Sequence, residues 1–571
     1  MPSAQLAESL PIEKAATVTP PPVKESSRGL WLSLIGIAAI AVAGIGMGLW
    51  LRGQWISYPD PADGFNVFYV LFSRNEPAGL ALVLLFTALT AFWLARGGRV
   101  APRALPIRPG STTILLALGA FAIAAAGYFI VFHEYSLTAD ENMADFQARI
   151  FLSGRLRAVV PAFWRPLVRL IIPTHAGYFP ELHSWNSGYL PVYAAIRAVF
   201  MSVELQALVN PVFAALSVCL IAAIARRVWP NDKMKPLLAA GLLAASSQFL
   251  LMSMTAYAMP AHLGLNLLWL WLYLEPRKAR FWLAPFVGVA ALGLHQPFFH
   301  ALFVTPFLAR LVWERRWKTS LFFAVVYLAG IVGWLLWWRH FMANFSEAGS
   351  RSAFGFHRYT LMIQGIYLCL VLGWFALPVP FLAALGFGAI RRQAPFLRDA
   401  AASCLLTFGF YVFVRFDQAH GWGDRYFHGT IGCLILVALV GWDALAQRVG
   451  RQAAGTFVVV GLVASLFVQF PLRCFQAEDF VAPYARAAEE FHNSDVDLVG
   501  FNPFDAWYSA DLIRNDPFLR ERPVTICIYS MNEAEEARLQ KNFPRRRLVD
   551  RKTLQDLGLA TIHYVNAKES R

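Results

Sequence analysis

The residues best placed to do chemistry lie in one polar stretch, from Ser136 to Arg155. Thr138 followed by Glu141 has the spacing of a helix capping box. Met143, Phe146 and Ile150 recur on one face, and Gly154 can end the helix. The spacing therefore predicts a short amphipathic helix whose first turn carries two carboxylates, Asp140 and Glu141. Such a pair can simply complement the positive end of the helix dipole. Alternatively, a carboxylate held there can take a proton from an attacking hydroxyl. Further along, His295 precedes Gln296-Pro297 at the end of an apolar block, and Gly423-Asp424-Arg425-Tyr426 closes the polar stretch 417–427. A lone histidine in that position is more often packed and hydrogen-bonded than reactive. Arg425 and Asp424 could be a loop salt bridge. Polar groups beside apolar blocks nevertheless mark functional sites often enough to single these out.

The elements that must position them belong to a membrane. Of the 571 residues, 57% are apolar or aromatic and 15% charged, against about 25% charged in a soluble domain. The apolar residues fall in about fourteen blocks, many close to the ~20 residues that span a bilayer as a helix. The fold class expected is mainly α, polytopic, with about 13 transmembrane helices and a small C-terminal α/β extracytoplasmic domain. Met1 to Ser27, with Pro20-Pro21-Pro22, reads as disordered, and the block after Arg28 is too long for a signal h-region. The net charge of +14 is spread over short clusters between the blocks, so nucleic acid is not the expected partner. The clusters at Arg99, Arg226-Arg227, Arg277, Arg310, Arg391-Arg392 and Arg448 should face the cytoplasm.

This leaves a parity conflict. Residues 133–186 fall outside and Arg226 inside, and two full crossings cannot join them. The segment 187–203, interrupted by Arg197, is therefore expected to be re-entrant or interfacial. The division expected is a disordered cytoplasmic segment 1–28, two N-terminal helices in 29–110, a transmembrane core 111–472 with the outer loop 133–186, and the tail 473–571. In the tail, Val496 to Phe501, Val524 to Tyr529 and Thr561 to Val565 read as strands, and Ala506 to Arg514 and Asn532 to Lys541 as helices. A second amphipathic segment, Phe163 to Ile172, carries Arg165 and Arg169. Four of the six cysteines lie in apolar blocks; Cys474 and Cys527 lie outside them and could pair if that side is oxidising.

An acidic pair opening the first outer loop, an amphipathic helix and then a proline-bearing helix together resemble the GT-C glycosyltransferases. The likeness is closest to bacterial relatives of the protein O-mannosyltransferases and of the lipid A aminoarabinose transferase. Asp140 through Arg149 looks like that family's Asp-Glu opening. Tyr178-Phe179-Pro180-Glu181, continuing to Tyr189-Leu190-Pro191-Val192-Tyr193, looks like the start of its next helix. Gly423-Asp424-Arg425-Tyr426 is similar to its late outer-loop motif. The pattern runs from about 111 to 472; two helices precede it, and Tyr189-Leu190-Pro191 stands where a double proline is usual.

The resemblance implies a polyprenyl-phosphate-linked sugar as donor, transferred to a lipid, glycan or protein acceptor at the outer face of a bacterial inner membrane. The charge argument, with about thirteen crossings, puts the N-terminus in the cytoplasm and the tail in the periplasm. Such a donor carries its own leaving group, so one carboxylate suffices as base for inverting displacement. Asp140 takes that role by its motif position, and Glu141 orients it or completes the cap. The departing phosphate needs cations or a divalent metal. Arg425, Arg358, Arg149, His295 and His357 are the candidates. Glu181, His183 and Asp424 lie where an acceptor or metal could bind. The alternatives are a secondary transporter or flippase of a lipid-linked envelope precursor, and a noncatalytic envelope assembly protein.

The charge argument fixes the first expected outcome. Impermeant thiol reagents added outside should label single cysteines placed in the outer loop and in the tail, and should not label cysteines at positions 99 or 316. The reverse pattern overturns the topology.

Overall fold

The computed structural model describes residues 27–57, 67–98, 109–342, 354–356, 358–415, 417–529 and 531–559. His357 and the expected strand Thr561 to Val565 lie outside these residues. Among them, 8 helices are long and apolar enough to cross a membrane, or up to 10 if each of two bent pairs is one span. About thirteen crossings is more than length and apolarity support. The blocks expected at 258–274 and 298–313 form helices Met259–Tyr273 and Phe298–Trp313, of 15 and 16 residues, short of the ~20 a crossing needs.

Two of the blocks are broken. Lys235–Ala244 and Ser247–Ser253 meet at 61°, and Arg358–Trp374 and Pro378–Arg392 at 115°. The second break has a local cause. Pro378 has no N–H to donate and restricts the residue before it. The amides freed at the bend are satisfied by serine hydroxyls from other helices, Ala376 N to Ser246 Oγ at 3.2 Å and Leu377 N to Ser465 Oγ at 2.8 Å. The 187–203 segment yields only the helix Val192–Met201, 10 residues long and so about 15 Å, half a crossing. Parity then closes, because Gln206–Val228 carries the chain across. The basic clusters at its far end share ion pairs, Arg227 with Glu275 at 2.9 Å and Lys235 with Asp443 at 2.5 Å.

The second N-terminal helix starts ten residues earlier than its apolar block, running Val67–Ala95 through Ser73-Arg74-Asn75-Glu76-Pro77. Sequence patterning cannot see this, because Glu76 becomes tolerable inside the bundle only through a partner on a distant helix. Arg473 donates to Glu76 at 2.7 and 3.2 Å, to the Gly373 carbonyl at 2.8 Å and to Gln476 at 2.8 Å, and Trp374 Nε1 donates to Glu76 at 2.9 Å. Both charges are buried. Glycine at 79 is required for this approach, since a Cβ there would stand 2.0 Å from Arg473 Nη2. Arg473 itself sits within one continuous helix, Arg451–His492, so the boundary expected at 472 falls inside an unbroken element.

The outer layer holds two small sheets. Strands β1 (Ala158–Val159), β2 (Ala176–Phe179) and β3 (Ser184–Ser187) form an antiparallel sheet in the order β1-β3-β2. In the tail, β4 (Leu498–Phe501), β5 (Val524–Cys527) and β6 (Arg546–Leu548) run parallel in the order β5-β4-β6. Of the expected tail helices, Asn532 to Lys541 forms as Glu533–Asn542, whereas Ala506 to Arg514 keeps only the 3-10 turn Ala510–Leu512. The amphipathic helix Ala139–Leu152 does not lay its apolar face on lipid. Met143, Phe146 and Ile150 are buried with Trp164 and Trp185 of the outer loop and with Leu498, Val524 and Ile526 of the tail. Trp185 Nε1 donates to the Pro517 carbonyl at 2.7 Å. Cys474 and Cys527 are both free.

Removing one partner of a buried ion pair strands the other. Glu76→Gln should lower stability by about 3–5 kcal/mol, whereas Glu76→Leu combined with Arg473→Leu should cost clearly less. Thermal unfolding in detergent micelles reads the difference; a double change worse than the single one contradicts the clamp.

Candidate functional site

The site is assembled around Asp140. Thr138 stands at the N-cap, and Glu141 reaches back to its amide at 3.4 Å. Asp140 is thereby fixed in the first turn, where the helix dipole favours a carboxylate. Arg425 Nη1 donates to Asp140 Oδ2 at 3.0 Å. Tyr189 donates its hydroxyl to Oδ1, and His175 Nε2 lies 3.5 Å from the same oxygen. Burial alone would raise the Asp140 carboxyl. The Arg425 guanidinium, His175, His295 and the tyrosine outweigh it and hold the group well below the usual carboxylate range.

Arg425 is placed by its backbone. Its amide donates to Gln418 Oε1 at 3.0 Å, and Gln418 Nε2 donates to the Gly423 carbonyl at 2.8 Å. Gln248 brackets Asp424, accepting from its amide at 3.1 Å and donating to its carbonyl at 2.6 Å. Gly423 is needed here: its φ is +92°, and a Cβ would lie 2.4 Å from Gln248 Oε1. The guanidinium then stands over the Tyr257 ring, 5.0 Å from its centroid. Its Nε is buried without a hydrogen-bond partner among the described residues.

Two of the three other expected carboxylates do structural work. Glu141 is buried and accepts from the Ala256 amide at 3.1 Å. Burial pushes it up to about 7, against the pull of the Ala256 and Thr138 amides. Asp424 accepts from the amides of Tyr426 at 3.1 Å and Phe427 at 3.2 Å, which caps the turn leading into the helix Ile431–Val449. Burial pushes it too up to about 7.

His295 joins the cluster, its ring stacked on Tyr189 at 4.1 Å with both ring nitrogens unpartnered among the described residues. Arg149 does not. It is exposed and bonded to Glu521 of the tail at 2.9 Å, because its position on the helix points it to the domain that covers this layer. Arg358 is exposed at the start of its helix. Glu181 and His183 are exposed at the turn between β2 and β3. Among the described residues no group of three or more His, Cys, Asp or Glu side chains is arranged to hold a metal ion.

Several residues escaped the sequence reading. Tyr189 appeared only as the start of a helix, and His175, Tyr257, His420 and Tyr508 carried no local signal. Three of these side chains and Thr138 form a line. Tyr508 of the tail meets His420 Nδ1 at 2.8 Å, His420 Nε2 meets Tyr257 at 3.2 Å, and Tyr257 meets Thr138 Oγ1 at 2.9 Å. The tail is thus bonded to the cap of the helix that carries Asp140. Asp511, three residues on from Tyr508, faces the same region: burial pushes it up to about 6, against Arg514 and His175.

The raised Glu141 yields a stability test. Its folded-state value of about 7 exceeds the ordinary 4.5, so the stability it contributes is full below the ordinary value and is lost as pH rises through the folded one. Glu141→Gln keeps the neutral form and can still accept from Ala256. The fall in melting temperature from pH 5.5 to pH 8.5 should therefore be smaller in the variant by about a few degrees. An equal fall would mean that Glu141 is ionised throughout.

No family model and no curated protein matches the chain. Among solved structures it is similar to ArnT from Cupriavidus metallidurans bound to undecaprenyl phosphate, at 16% identity and a TM-score of 0.48, covering 77% of this chain and 90% of that one. The same protein in the apo state matches at 14% identity and a TM-score of 0.49 over the same shares, 77% and 90%. The archaeal oligosaccharyltransferase AglB from Archaeoglobus fulgidus, in complex with an inhibitory peptide and a dolichol-phosphate, matches at 11% and 0.37, covering 72% of this chain and 64% of that one.

Proposed function

We propose that the chain is a membrane glycosyltransferase that moves a sugar from a polyprenyl-phosphate donor to an acceptor at the outer face of the membrane, with inversion. The observation that carries this reading is the Asp140–Arg425 contact at 3.0 Å. It joins two of the three motifs on which the family resemblance rests, 285 residues apart. A carboxylate that can take a hydroxyl proton and a cation that can meet a departing phosphate are the two groups the reaction needs.

The chemistry follows from the pair. The acceptor oxygen attacks C1 of the sugar as its proton leaves toward Asp140. The C1–O bond to phosphate breaks on the opposite face, and its electron pair goes to the phosphate. Arg425, whose Nε is unpartnered among the described residues, offers that developing charge a donor already in place. Tyr189 and the helix cap keep the carboxylate from turning. A transporter would instead be expected to use charges inside the bundle. The Glu76–Arg473 pair is a buried charge of the bundle, and both partners are held on several sides by fixed groups, as suits a clamp.

Asp140→Asn keeps the shape of the side chain and cannot take a proton. Purified variant protein should insert and fold normally and turn over labelled polyprenyl-phosphate sugar about 100-fold more slowly, or slower still. Arg425→Lys should slow it as well, because a point charge cannot hold Asp140 and the phosphate at once. Normal turnover in Asp140→Asn would remove it as the base. Absence of transfer by the unmodified protein, with every polyprenyl-phosphate sugar offered, would remove the activity.

A further inference from the structure

Resting on the glycosyl-transfer reading, we infer that His175 is the proton carrier of this site: the proton that leaves the acceptor hydroxyl passes through Asp140 and ends on the His175 imidazole.

The argument begins with a mismatch. A general base works best when its pKa lies near the working pH. Asp140 is held well below the carboxylate range by its cationic surroundings. Such a carboxylate is always ionised and ready, but it cannot keep the proton it receives. The proton needs a second holder within reach, and histidine is the side chain suited to carrying one near neutrality.

The geometry supplies it. His175 Nε2 is 3.5 Å from Asp140 Oδ1. Its side chain is about one-third exposed, at 34%, while Asp140 is at 17% and Arg425 at 9%. Of the three side chains, this imidazole is the one most open to water. His175 is also held on purpose. Its φ is +65°, a conformation that costs a non-glycine residue energy and persists only where the surroundings enforce it. Its carbonyl accepts from the Gly188 amide at 2.8 Å, which locks the turn before β2. The charged and titratable groups around it are Asp140 from the amphipathic helix, Tyr189 from the chain after β3, His295 from the loop before Phe298, and Asp511 from the tail.

The step balances. The acceptor O–H bond breaks, the O–C1 bond forms, and the C1–O(phosphate) bond breaks with its pair going to phosphate. The proton crosses Asp140 to Nε2, and the imidazolium then loses it to solvent. Asp140 is regenerated as the carboxylate, and no oxidant or reductant is involved.

His175→Gly is the informative variant, because glycine adopts φ +65° without strain and the fold should survive. Turnover should fall about 10- to 100-fold. Added imidazole should restore it, and substituted imidazoles should do so in order of basicity. Glu141→Gln, as a control for a neighbouring buried group, should show no response to added imidazole. Unchanged turnover, or a loss that no imidazole relieves, overturns the proposal. A second readout does not depend on transfer. The imidazole NMR signal that His175→Gly removes should move in Asp140→Asn, because the ring loses its carboxylate neighbour. A signal that does not move overturns the proton link even if the protein transfers sugar. A moved signal with no transfer by any donor would uphold the link and reject the glycosyl-transfer reading.

Discussion

A lone carboxylate or guanidinium buried against a bilayer would have to lose its charge or find water. Asp140 and Arg425 do neither, because each neutralises the other at 3.0 Å. Most of the outer layer can be understood from that constraint. The helix Ala139–Leu152 must begin where Arg425 can reach it, so Thr138 and Glu141 fix its first turn. The stretch 417–427 must present the guanidinium with little slack, so two buried glutamines and a glycine hold its backbone. Tyr189 must face the same oxygen as His175, so the chain between β2 and Val192–Met201 turns back over the helix.

The tail belongs to this arrangement. Its strands β4 and β5 cover the apolar face of the amphipathic helix, so the helix that bears Asp140 has no lipid-facing stripe and cannot ride freely on the membrane. Tyr508 sits at φ +57°, a strained backbone position that brings its hydroxyl onto His420. Through His420 and Tyr257 the tail is bonded to Thr138. At the other side Glu76 and Arg473 fix the long helix from which the tail projects. The two N-terminal helices thereby help set the position of a domain nearly four hundred residues away, |i−j| being 397 for that contact.

What the sequence could show follows from the range of the interactions. The capping box at Thr138 and Glu141 is local, spaced by a single turn, and the structure shows Glu141 reaching the cap amide. The apolar blocks are local too, although the break at Pro378 is completed by serines of other helices. Arg425 entered by motif likeness, and it meets Asp140. Arg149 was misplaced because helical periodicity gives its face but not what covers that face; the covering layer is the tail, with Glu521. Glu181 and His183 were misplaced for a similar reason, as the β2–β3 turn aims them at solvent. Glu76 looked like the polar edge of a block because its partner is at 473. His175 had no pattern at all, since a left-handed backbone at a histidine is decided by the fold around it.

Access separates scaffold from site. Arg473 and Arg425 each keep a buried Nε without a partner among the described residues, so an open donor does not by itself mark the site. What differs is the way in. The Arg473 and Glu76 side chains are 0% and 4% exposed, and Arg473 is held by Glu76, Gly373 and Gln476. Such a pair has little to offer a ligand, and it acts as a rivet. Arg425, Asp140 and His175 are at 9%, 17% and 34%, rising toward water. A buried donor left unpaired costs about 1–3 kcal/mol. At Arg473 that cost lies inside a clamp; at Arg425 it lies beside a carboxylate that water can reach, and an anion entering beside Asp140 is the ligand that donor fits.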